Sequence, residues 1–92
     1  MSDQHEFTSE EARQIGDRIG VDWNSVNLEQ FRMGLAVELE HGAHDIQTDV
    51  TGDDEIVTGK IALAHLKEIR DYYTRLQVME RDAEAYWDAQ DE

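Results

Sequence analysis

The stretch NLEQFRMGLAVELEHG, residues 27–42, decides the fold. Leu28, Phe31, Leu35 and Leu39 recur at steps of three and four, the spacing that lines one face of an α-helix. Met33 and Val37 widen that face. Asn27 stands at the N-cap, Gln30 at the reciprocal position of a capping box, and Gly42 supplies a C-terminal stop.

Working outward, the same period repeats. Upstream, FTSEEARQIGDRIG reads as a short helix capped by Thr8, boxed by Glu11 and stopped by Gly20, with Ala12, Ile15 and Ile19 as its stripe. VDWNSVN follows as a connector whose Val21, Trp23 and Val26 plug the core. Downstream, AHDIQTDVTGDDE is a polar linker. A calcium loop begun at Asp49 fails, because Asp54 stands where Gly belongs and Lys60 where Glu belongs. The linker instead reads as a solvated loop whose Asp53 or Asp54 caps the next helix. That third helix, DEIVTGKIALAHLKEIRDYY, carries Ile56, Val57, Ile61, Ala64, Leu66 and Ile69, with Gly59 marking close packing or a late start. A fourth, capped by Asp71, sets Tyr72, Leu76, Met79, Ala83 and Tyr86 on one face; periodicity leaves open whether it is continuous with the third. With no strand alternation, no repeat and no Pro, the expected class is all-α, a small antiparallel bundle of about four helices. It forms a single acidic domain over residues 1–92, frayed at 1–7 and 88–92.

Composition narrows the function classes. The 92 residues hold no Cys, which removes disulfides, thiolate ligands and a cysteine nucleophile. Residues 1–8 lack the basic and apolar regions of a secretory signal, and no apolar run is long enough to cross a bilayer, so a cytoplasmic protein off the membrane is expected. Asp plus Glu is 22 against 8 Lys plus Arg, a net charge of -14. That surface repels phosphate backbones and argues against direct nucleic-acid binding. It fits a halophile's structural bundle, a reading that the scarcity of lysine favours, or an interaction module or nucleic-acid mimic for a basic partner. A protein partner or a homo-oligomer is thus expected. No phosphate loop, nucleophile elbow or His-Glu-x-x-His motif is present, and no catalytic residue or reaction is assigned.

One constellation carries chemistry. Glu38 and His41 share a helix face three residues apart, as do His65 and Glu68. In opposed helices His41 would lie level with His65, and Glu38 with Glu68. Two imidazoles and two carboxylates between facing helices suit a divalent transition metal, zinc, iron or manganese. Glu40, His44, Asp71 and Tyr72 stand near enough to support them. The plain alternative is open at this stage: His41 suits the negative end of its helix without any metal, and His65 is a core histidine bonded to Glu38.

The strings LEQFRMGLAVELEHG, TGKIALAHLKE and DYYTRLQVME resemble the small proteins grouped as domain of unknown function 5661, over about Phe7 to Trp87. The resemblance implies no activity, but its strings contain Glu38, Glu40, His41, His65 and Glu68.

Overall fold

A computed structural model of the chain describes residues 6–44 and 54–90, the side chains of residues 41–44 excepted. Four helices follow in order: α1 (Ser9–Ile19), α2 (Leu28–His44), α3 (Glu55–Glu68) and α4 (Tyr72–Gln90). No strand occurs among the described residues, so the protein is an all-α small bundle. Residues 45–53 of the acidic linker, including Asp45, Asp49, Gly52 and Asp53, lie outside the described residues.

The helix boundaries follow from cap chemistry. The Thr8 hydroxyl accepts the Glu11 N–H, and the Glu11 carboxylate accepts the Thr8 N–H, so two otherwise orphaned donors are satisfied. Gly20 ends α1 in the left-handed region at φ 80, where a side chain would be strained. Asn27 Oδ1 accepts from the Gln30 N–H at 3.0 Å, and Asp54 Oδ1 caps α3 through the Ile56 and Val57 N–H groups. α2 runs past the stop expected at Gly42, as far as His44. α3 and α4 are separate, divided by an extended Ile69 and the turn at Arg70 and Asp71.

Gln30 departs from the capping box. Its side chain crosses to α4, where Oε1 accepts the Tyr73 N–H at 3.2 Å and Nε2 donates to Thr74 Oγ1. The start of α4 is therefore capped from α2. Asp71, expected as that cap, instead holds the Arg75 guanidinium at 2.7 Å. α4 begins against the flank of α2, so a neighbouring side chain reaches one of its first free N–H groups, that of Tyr73.

The core gathers Phe7, Ala12, Ile15, Val21, Val26, Phe31, Leu35, Ala62, Leu66 and Tyr73. The Arg32 guanidinium, held by Glu29, donates to the Phe7 carbonyl at 3.1 Å and ties the N-terminal segment down. Trp23 lies edge-on to Phe31 at 5.6 Å, over Gly16, and its indole N–H donates to Asp17 at 2.8 Å. α3 packs on both α1 and α2. It does so with Thr58, Gly59, Ala62 and Leu66, whereas Val57, Ala64 and Ile69 of the expected stripe are exposed. Small residues let the backbones approach: a Cβ at Gly59 would stand 3.0 Å from Ile15 Cγ2 and 3.5 Å from Phe31 Cζ. The buried Thr58 hydroxyl donates to the Asp54 carbonyl at 2.7 Å, so its burial leaves no polar orphan.

Contacts between α2 and α3 ascend together: Phe31 at Gly59, Gly34 at Ala62, Glu38 at His65. This is the order of helices running in a common sense, so the opposed register that would set Glu38 beside Glu68 does not form.

α4 contacts α2 through its first turns. Tyr73 is buried, Tyr72 and Leu76 are half-buried, and Met79 and Tyr86 of the expected packing face are exposed. The molecule measures 47 × 27 × 22 Å.

Candidate functional site

Glu38 sits in the third turn of α2, on the side toward α3 and the start of α4. Its side chain is 12% exposed. Two groups converge on a single carboxylate oxygen. The Tyr73 hydroxyl donates to Glu38 Oε2 at 2.8 Å, and His65 Nε2 stands 3.4 Å from the same atom. His65 stacks on the Tyr72 ring at 4.3 Å with 6° between planes and meets Tyr73 edge-on at 6.2 Å. The two tyrosines are themselves edge to face at 5.0 Å. The imidazole is therefore oriented by an acid on one side and a ring face on another.

Each partner comes from a different element. Glu38 is fixed by α2, His65 by the last turn of α3, and Tyr73 by the capped first turn of α4. Gly34, one turn before Glu38, makes room for the Tyr73 ring, since a Cβ there would stand 2.5 Å from Tyr73 Cε2. Burial above all, and then the hydrogen bond and charge of Glu38, push the Tyr73 phenol well above its ordinary range. Tyr73 is thus a proton donor held neutral in the core. The arrangement is a closed polar network linking three helices, with His65, one-third exposed, as its solvent-facing member.

Of the four residues read as ligands, Glu38 and His65 are brought together. Glu68 is exposed in the last turn of α3. The His41 side chain lies outside the described residues, as does that of His44. Among the described residues no three His, Cys, Asp or Glu side chains form a group that could hold a metal ion. Tyr73 was missed from sequence. The signal was available, because an acid on a core face needs donors and Tyr73 adjoins the Tyr72 already placed near the site.

The profile of the family described as "Protein of unknown function (DUF5661)" matches residues 12–82. The chain belongs to this family. The DUF5661 match spans all three members of the network, Glu38, His65 and Tyr73, and ends before the exposed Tyr86 and Trp87 of α4. No curated protein and no solved structure matches the chain. No described helix is long and apolar enough to cross a membrane.

Proposed function

We propose that this protein is a binding module that offers the distal part of α4 to a basic, amphipathic protein partner. The observation that carries the reading is exposure: Val78, Met79, Tyr86 and Trp87 are 44, 55, 58 and 62% accessible on one helix. Large apolar side chains grouped on a surface mark interaction sites more often than scattered ones do. Met, Tyr and Trp are also the residue types enriched at interface cores. Charge selects the occupant. Glu80, Asp82, Glu84 and Asp88 are interspersed with the apolar residues along the helix, with Arg81 as the one cation between Val78 and Gln90. A second copy of a chain with net charge -14 would set these acids against themselves, and nucleic acid would meet the same repulsion. A partner whose apolar face is rimmed by Lys and Arg neutralises them.

Isothermal titration with a synthetic leucine–lysine amphipathic helix checks this. Binding is expected to be saturable and to weaken as salt rises. The triple variant M79S/Y86S/W87S should abolish it while keeping its circular dichroism. Equal binding of a leucine–glutamate peptide, or none of either, refutes the proposal. A concentration-dependent dimer lost in the triple variant makes a second copy the occupant instead.

The Glu38–His65 contact favours a second reading, a divalent transition metal at the α2–α3 face. Zinc, iron or manganese would take Glu38 and His65, with His41 one turn beyond Glu38 and Glu68 one turn beyond His65. Elemental analysis of natively purified protein never exposed to chelator is the test. Stoichiometric metal is expected, lost in both H41A and H65A. No metal, or metal retained by both variants, removes this reading.

A further inference from the structure

A cavity of about 450 Å³ opens between the end of α1, the connector after it and the last turns of α3. It is separate from the Glu38–His65–Tyr73 network and from the exposed part of α4. Its apolar side is made by Ile19, Val21, Val26, Leu63 and Leu66. Val21, Val26 and Leu66 are core residues, 8, 6 and 3% exposed, so this wall is rigidly held. The volume lies within the range of small-molecule sites.

The polar side is unusual for this chain. It is lined by Lys67 and Arg70, two of only 8 basic residues against 22 acidic ones. Among the described residues neither makes an ion pair, whereas Arg32 is held by Glu29 and Arg75 by Asp71. The acid lining the cavity, Asp22, is engaged elsewhere: its carboxylate accepts the Asn24 N–H at 3.0 Å and the Ser25 hydroxyl at 3.2 Å, closing the connector turn. An apolar wall therefore faces two cations that pair with no described acid.

We propose that this cavity binds an amphipathic monocarboxylate, its apolar body against Val21, Val26, Leu63 and Leu66 and its carboxylate between Lys67 and Arg70. The guanidinium and ammonium supply charge-assisted donors to one anionic head. The apolar wall supplies the burial that a free inorganic anion could not use. Asp22 keeps its negative charge in the lining, offset by the two positive charges of Lys67 and Arg70, while acids more than about 8 Å away are largely screened at physiological salt.

Titration of isotope-labelled protein with sodium octanoate, followed by amide chemical shifts, decides it. Saturable shifts are expected at Val21, Val26, Leu63 and Leu66, with octylammonium giving none. The surface variant K67Q/R70Q, which leaves the core intact, should bind octanoate about tenfold or more weakly. Octanol binding as well as octanoate, or K67Q/R70Q binding unchanged, overturns the assignment of the head group. Octyl phosphate binding where octanoate does not overturns the carboxylate class. No saturable shift with any of these probes overturns the site.

Discussion

Replacing Tyr73 with Ala is expected to lower the free energy of unfolding by about 3–5 kcal/mol. The ring is 1% exposed, lies on Gly34, and is the main buried anchor of α4. Small domains have a total margin of about 5–15 kcal/mol, so Y73A stands near its limit and Y73F must be measured beside it. Y73F keeps the ring and loses the bond to Glu38, at a cost of about 1–2 kcal/mol. Urea midpoints should therefore rank wild type, Y73F, then Y73A well below; coincidence of the two variants would show that the ring's packing is not what anchors α4. The pair also separates by pH. The folded state holds the phenol above its ordinary range, while the unfolded chain releases that proton near pH ~10. Above that pH the unfolded state binds fewer protons than the folded one, so stability falls as pH rises; below it this contribution is constant. Y73F should lose stability less steeply than wild type through alkaline pH. Equal slopes would mean that Tyr73 is not the neutral, buried donor.

The elements that could be read from sequence are those whose signal is local. The Thr8–Glu11 box, the Gly20 stop and the Asp54 cap involve residues a few positions apart, and all three form as the spacing predicts. Phe31 and Leu35, in a strong apolar stripe, are fully buried. What escaped was set by neighbours distant in sequence. The inner face of α3 is Thr58, Gly59 and Ala62, residues with little hydrophobic signal, because close approach to α1 and α2 counts for more there than apolar bulk. Gln30 caps α4 and not its own helix, through partners 43 and 44 positions away. The choice between two adjacent tyrosines is also nonlocal: the turn after Ile69 aims Tyr73 into the core and leaves Tyr72 half-buried against His65. The Glu38–His65 pair was legible because each helix displays its acid or imidazole toward the core. Its register was not, since period alone does not say which way a neighbouring helix runs.

Gly34→Ala is expected to destabilise the fold by about 2 kcal/mol, against the intrinsic preference of the helix. In an open helix the change would gain about 1 kcal/mol. Here the new Cβ would stand 2.5 and 2.8 Å from Tyr73 Cε2 and Cζ and 3.0 Å from Ala62 Cβ. Neither neighbour is a flexible tip. One is the Tyr73 ring, its hydroxyl bonded to Glu38 and the residue's backbone N–H bonded to Gln30; the other is a methyl fixed to the α3 backbone. Overpacking of this kind costs about 1–3 kcal/mol and sometimes more, and here relief requires α4 or α3 to move off α2. Displacing the ring also draws the Tyr73 hydroxyl away from Glu38 Oε2, so the substitution removes a hydrogen bond it does not touch. The two sites must then be coupled. In a Tyr73→Leu background the obstructing ring is gone and only the 3.0 Å approach to Ala62 Cβ remains, so Gly34→Ala should cost much less. Thermal or urea unfolding of the four proteins in that cycle measures the coupling. If Gly34→Ala proved neutral in the wild-type chain, or equally harmful in both backgrounds, the close seat of Tyr73 on α2 would be wrong, and with it the geometry that brings Tyr73 to Glu38.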